Sequence, residues 1–364
     1  MGFRCGIVGL PNVGKSTLFN AITSVGARVA NYPFTTIEPQ TGVVTVPDVR
    51  LKELHKIFKT PAAIPTTIEF VDIAGLVRNA SKGEGLGNQF LAHIREVDAI
   101  IHVVRCFKND DVIHVEGDVD PVRDIEIVET ELLLKDLETI VKKLQEVEKK
   151  AKSGEKKLKQ EVDFYSRLKD HISTGKSANS FNLHEDEKEM FHNLHLLTKK
   201  PVMFVANVDE NGLVKGNEYI NRVKEIAGRS GAAFALIDAE MEAEIASMTY
   251  EEREEFLHDL GLSESGLDTV IREGYNLLHL ITFFTHNEKE VRAWTIVKGT
   301  KAPQAAGVIH SDFEKGFIRA EVVKYKDLLS CGSEHAIKER GLFAIHGHDY
   351  VVEDGDVILF RFHV

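Results

Sequence analysis

Residues Gly9-Leu10-Pro11-Asn12-Val13-Gly14-Lys15-Ser16 fit the pattern G-x-x-x-x-G-K-[ST], whose spacing serves one chemistry, the holding of a polyphosphate. Glycines let the chain approach phosphate oxygens closely, so the backbone N–H groups from Asn12, Val13 and Gly14 on to Thr17 can turn inward on them. Lys15 brings a cation to the β- and γ-phosphates, where it also serves catalysis, and Ser16 offers a hydroxyl to Mg²⁺. An apolar run precedes this loop and a helical stretch, residues 17–22, follows it, which argues against a chance glycine-rich turn.

Further along, Asp72-Ile73-Ala74-Gly75 ends an apolar run as D-x-x-G: Asp72 can hold Mg²⁺ through water, and the Gly75 amide can reach a γ-phosphate. Alone this would be a strand-end turn, but after a phosphate loop the same phosphate group explains both. Between them, residues 33–39 form a proline-bounded loop with two hydroxyls, of which Thr36 rather than Thr35 is suited to the metal. Asn207-Val208-Asp209-Glu210 stands where N-K-x-D would read guanine, but Val208 has no amine and Glu210 is one methylene too long, so guanine selectivity is not expected. Asp238 and Ala239 are placed to close over the base through backbone amides, with a helix cap as the competing role for Asp238. Leu76 stands where a water-orienting glutamine is usual; the substitutes are His114 or a cation, K⁺, held near Asn12. Residues 81–87 carry three glycines and suit an order–disorder switch.

These groups need a scaffold that brings loop ends together. Short apolar runs at residues 3–8, 68–72, 99–104, 202–206 and 233–237, alternating with amphipathic stretches, predict an α/β domain with a mostly parallel sheet. In such sheets ligands bind at the carboxyl ends of the strands, which is where every motif above falls. From residue 127 the apolar period approaches seven over two, and Ser153-Gly154 breaks it, predicting an inserted antiparallel pair of coiled-coil-like helices. Strand-like patterning resumes near His279 around a helix at 302–309, predicting a small α+β unit. The division is therefore residues 1–126 with 196–277 for a discontinuous nucleotide-binding domain, 127–195 for the helical insertion and 278–364 for the terminal unit.

Length and composition fit this division. The 364 residues exceed one ordinary core, and 43% hydrophobic with 28% charged residues excludes wholesale disorder. A formal charge of −12 argues against a surface that coats nucleic acid everywhere, yet residues 142–159 hold eight lysines against three glutamates. That basic tip is either a solvated helix face or a phosphate-backbone contact. Cys5, Cys106 and Cys331 show no metal-ligand spacing and read as reduced thiols; with no apolar run near 18 residues, a cytoplasmic chain without membrane contact is expected.

Taken together, GLPNVGKST, PFTTIEP, DIAGL followed by SKGEGLG, NVDE, the helical insertion and the terminal APQAAGVIHSDFEKGFIRA resemble the YchF (Obg-like) family of translation-factor-class P-loop NTPases, essentially end to end. The resemblance implies ATP use through the N-x-x-E loop, a non-glutamine mechanism matching Leu76, a TGS (ubiquitin-like) terminal domain, and a ribosome-associated role. It maps a family segment onto Val112-Ile113-His114-Val115, favouring His114. Two residues depart from the family pattern: Thr35, where cysteine is common, and Asp238, where a small residue is common. The resulting expectation is a slow, Mg²⁺-using, monomeric ATPase, tolerant of GTP, whose nucleotide state sets binding to RNA or the ribosome, through the large subunit. The rival readings are a nucleotide-gated binder with incidental hydrolysis and a strict GTPase.

Overall fold

The computed structural model describes residues 2–24, 28–29, 40–73, 86–109, 111–152 and 155–363. Thr36, Gly75, Leu76 and the Ser153-Gly154 turn lie outside the described residues. The described chain divides into two compact units, residues 3–42 with 69–270, and residues 43–68 with 271–364.

In the first unit the five expected strands form as Thr67–Asp72, Arg4–Val8, Ala99–Arg105, Val202–Asn207 and Ala233–Ile237, side by side in that order within a seven-stranded sheet. Each pair within these five is parallel. Ala99–Arg105 is buried at all seven positions, as a central parallel strand covered on both faces must be. Register matters more than order here. Ile7 lies opposite Asp72, and Asn207 lies between Arg105 and Ile237, so the strand ends bearing the motifs finish level with one another. Gly9 turns the chain off the first strand at φ 152°, where a Cβ would meet the Val103 carbonyl oxygen at 2.5 Å. Only glycine fits that position.

The helical insertion begins at Pro121, capped by Asp120, whose side chain accepts from Val122 N and Arg123 N. Pro121–Ala151 runs 31 residues and packs on Lys156–Ser173 through Ile140, Leu144 and Val147 against Phe164, Leu168 and Ile172. Its base is tied down by buried Asp136, whose carboxylate accepts from Leu197 N, Thr198 N and Thr198 Oγ1 at 2.7–2.8 Å.

In the second unit the hairpin Leu280–His286 and Glu290–Val297 joins Asp356–Phe362, which runs parallel to the first of these strands and antiparallel to Phe317–Lys324. Helix Ala302–Ile309, predicted with those bounds, buries its alanines against Phe283, Ala320, Ile358 and Phe360, giving the expected α+β, ubiquitin-like core. Residues 43–68 also belong to this unit, although sequence adjacency assigned them to the nucleotide-binding domain. Helix Val49–Phe58 packs Leu51 and Leu54 on Phe284 and Val323, and Ala62–Ile64 pairs with Glu290–Arg292. Arg50 anchors this addition by ion pairs to Asp48 and Asp354 at 2.8 and 2.7 Å.

Candidate nucleotide-binding site

Helix Lys15–Ser24 opens the phosphate loop's far side, and its first internal bond is Leu18 N to Gly14 O at 2.9 Å. The N–H groups of Lys15, Ser16 and Thr17 therefore point out of the helix start, where the positive end of the helix dipole favours an anion. Asn12 holds a left-handed φ of 62° and Gly14 one of 98°, the alternation that turns successive N–H groups into one concavity.

Lys15 is buried, and its Nζ donates to the Leu10 carbonyl at 2.7 Å, folding the side chain over its own loop. Burial lowers its pKa to about 8 against the opposing pull of Asp72. Ser16 Oγ donates to Asp72 Oδ2 at 3.4 Å, and burial raises the Asp72 carboxyl, with Lys15 and Ser16 pulling the other way. Its second oxygen, Oδ1, is buried without a hydrogen-bond partner among the described residues. A carboxylate oxygen left over beside a hydroxyl is the kind of oxygen donor a hard divalent cation takes, so Ser16 and Asp72 fit Mg²⁺, with the Lys15 ammonium left for the phosphates.

Asn207 fastens the floor of the site. Its Nδ2 donates to Val13 O at 3.0 Å and its Oδ1 accepts from Ala239 N at 3.0 Å, joining the phosphate loop to the loop after the last parallel strand. Val208 is buried in the core with its amide on Ile237 O, so it supplies no polar group. Asp209 caps helix Glu210–Lys215 through Gly212 N at 2.8 Å, leaving Glu210 exposed as the acid of this loop that is free to face a base.

Two expectations change here. Asp238 acts as the helix cap, accepting from Glu240 N and Met241 N at 3.1 Å, and the Ala239 amide expected to close over a base is committed to Asn207 inside the protein. His114 is brought beside the phosphate loop, since Asn12 Nδ2 donates to the adjoining Ile113 carbonyl at 3.1 Å. Its ring, however, is turned inward. Nδ1 accepts from Glu116 N at 3.1 Å, which leaves the proton on Nε2, and Nε2 donates to Asp124 Oδ2 at 2.8 Å. An imidazole with both nitrogens engaged cannot polarise a water in this arrangement.

Sequence reasoning missed Asp124, which reads as an ordinary first-turn acid after Pro121, and Arg105, which reads as the end of a strand. Buried Arg105 donates to the carbonyls of Phe107, Asn109 and Val112 at 2.8–3.2 Å and so fixes the loop leading to His114. A buried arginine closing three carbonyls has no local signature in a sequence.

A parallel sheet with a phosphate loop after its first strand and an aspartate after its neighbour defines a P-loop nucleoside triphosphatase fold. Residues 4–143 match the family model described as "50S ribosome-binding GTPase", and residues 280–363 match YchF-GTPase_C, described as a protein of unknown function. Proteins named "Ribosome-binding ATPase YchF" are similar over all of both chains, 54% identical in Haemophilus influenzae and 52% in Bacillus subtilis. The solved structure of the Schizosaccharomyces pombe YchF GTPase superposes with a TM-score of 0.87 at 40% identity, covering 99% of this chain and 98% of that one. The chain belongs to the YchF family.

Proposed function

We propose that this protein is an Mg²⁺-dependent ATPase, tolerant of GTP, whose nucleotide state controls binding to the ribosome. The observation that carries the reading is the cluster of Lys15, Ser16 and the half-satisfied Asp72 at the mouth of the phosphate loop. In this reading Lys15 leaves Leu10 O for the β- and γ-phosphates, and the first-turn amides bind phosphate oxygens. Ser16 and Asp72, completed by Thr36, would hold Mg²⁺, which neutralises charge on the transferring phosphoryl group when bound. Gly75 is the γ-phosphate contact. Asn12 offers a potassium ion one amide oxygen, its nitrogen being spent on Ile113, so no step is assigned to K⁺.

Preference for ATP rests on the base loop. A guanine reader needs a carboxylate of fixed reach and an amine over the ring; here the amine position is a buried valine, and Glu210 is free to turn. Engagement of both His114 nitrogens favours the second reading, a nucleotide-gated binder with incidental hydrolysis.

The names of the relatives and the 50S wording of the matching family model support a ribosomal partner on the large subunit, and the arm supplies a surface with the right charge. Lys142, Lys143 and Lys150 pair with Glu138 and Glu146, while Lys149, Lys156 and Lys157 carry exposed ammonium groups near the tip. No helix among the described residues is long and apolar enough to cross a membrane.

Sedimentation with ribosomes tests this. Binding should be stronger with a non-hydrolysable ATP analogue than with ADP and should fall steeply with salt. Neutralising Lys149, Lys150, Lys156 and Lys157 together should weaken it and flatten the salt slope by up to about four units, roughly one per lost phosphate contact. Unchanged binding would return these lysines to a solvated face.

A further inference from the structure

The loop that touches the phosphate loop through Ile113 has an inverted polarity. His114 is 7% exposed, whereas its neighbours Ile113 and Val115 are 79% and 47% exposed. Chains ordinarily do the reverse, and a local conflict of this kind persists where something specific holds it. What holds it is Asp124, itself 2% exposed, in the first turn of the helix Pro121–Ala151 that becomes the arm. Asp124 is fixed from its other side by Arg123, whose Nη2 lies 3.0 Å from Oδ1.

Hinge points flank the inverted segment. Arg105 pins the chain up to Val112, where Val112 N closes a turn on Asn109 O, and Gly117 follows with φ 84° and nothing within 4 Å of where its Cβ would be. Residues 113–116 are thus a short segment between a fixed point and a permissive glycine. Asn12, His114 and the Glu116 amide tie it inward, while Arg123 Nη1 donates to the Glu116 carbonyl at 3.3 Å and Gly117 N closes a turn on the His114 carbonyl at 3.1 Å.

We infer that Asp124 is a positioning residue that holds His114 in a withdrawn, hydrolysis-incompetent orientation, and that its contact couples the base of the arm to the nucleotide site. Breaking the Nε2 to Asp124 hydrogen bond frees the ring to turn outward, and the same rotation lets Ile113 or Val115 take the space the ring vacates, so the two arrangements exchange burial rather than simply losing it. Ribosome contact on the arm has a direct lever on this bond, because Asp124 belongs to the same 31-residue helix as Lys149 and Lys150 of the basic tip. The inference rests on the reading of the site as an ATP-hydrolysing one.

Asp124→Leu, close in volume and unable to accept a hydrogen bond, should raise ribosome-free ATP turnover several-fold with KM unchanged, and Asp124→Asn, which keeps an acceptor but no charge, should raise it less. In a His114→Ala background neither should raise it. Unchanged or lower turnover in variants that still bind a fluorescent ATP analogue would overturn the inference, as would an equal rise without His114. Hydrogen exchange across residues 111–119 supplies a readout independent of hydrolysis. The Glu116 amide should lose protection in Asp124→Leu, and in Asp124→Asn if the former does not fold; retained protection would overturn the latch even if the protein proved not to be an ATPase. Absence of wild-type ATP turnover beside lost protection would overturn the functional reading alone.

Discussion

Replacing Lys15 by alanine is expected to lower ATP turnover by about a thousandfold and to weaken nucleotide binding strongly, because removing even one donor from a developing anion costs roughly 10²–10³ in rate and Lys15 supplies a full charge. The variant should nevertheless fold at least as well as the parent. Burial drops the Lys15 pKa from its ordinary value to about 8, so the native state disfavours the ammonium. At pH 7 that charge costs folding about 3 kcal/mol at 1.36 kcal/mol per unit. The cost is fully present below pH 8 and fades between about 8 and the unfolded value near 10.5, as the folded state releases its proton first. The same titration acts on function with opposite sign. Above pH 8 the empty site loses its cation, and affinity for the triphosphate should decline by up to about tenfold per pH unit. Thermal unfolding and analogue binding across pH 7–9.5 check both; a variant that unfolds early yet binds ATP normally would show Lys15 to be structural.

Asn207 carries the second large effect. Asn207→Ala removes the donor to Val13 O and leaves the buried Ala239 N–H without its acceptor. A stranded buried donor costs about 1–3 kcal/mol and the second bond about 1, so a loss near 3 kcal/mol of stability is expected. The phosphate loop loses its tether at Val13, and nucleotide affinity should fall with it. Asn207→Asp separates the two contributions: it keeps an acceptor for Ala239 but faces Val13 O with a carboxylate, so stability should recover part of the way and nucleotide binding should not. Gly14→Ala should give the same binding defect from the other side, since its Cβ would collide with Asn207 Nδ2 at a φ of 98°. Denaturant unfolding with analogue titration reads all three variants. Parallel recovery of stability and binding in Asn207→Asp would contradict the tether.

What could be read from the sequence divides along the range of the interactions. The phosphate loop, the five strands and helix Ala302–Ile309 rest on local pattern: an eight-residue motif, continuous apolar runs, a proline and alanines at helical spacing. Asp238 shows the limit of local reading, since an acid after a strand suits both a base contact and a cap, and only the positions of Glu240 N and Met241 N decide for the cap. His114 shows a harder limit. Its neighbourhood was legible, but its orientation depends on Asp124, ten residues on and across a helix start, and on Arg105 beneath it. Residues 43–68 were assigned by adjacency, and their true partners, Phe284, Val291 and Asp354, lie more than two hundred residues away, beyond any periodicity.

The measurement that tests the account most directly is competition of ATP and GTP for one labelled nucleotide analogue bound to the full-length protein with Mg²⁺. The account predicts that ATP displaces the label at lower concentration, that GTP competes more weakly, and that Mg²⁺ removal weakens both. Displacement by GTP in preference to ATP would contradict the reading of Val208 and Glu210, and with it the assignment of this site to ATP.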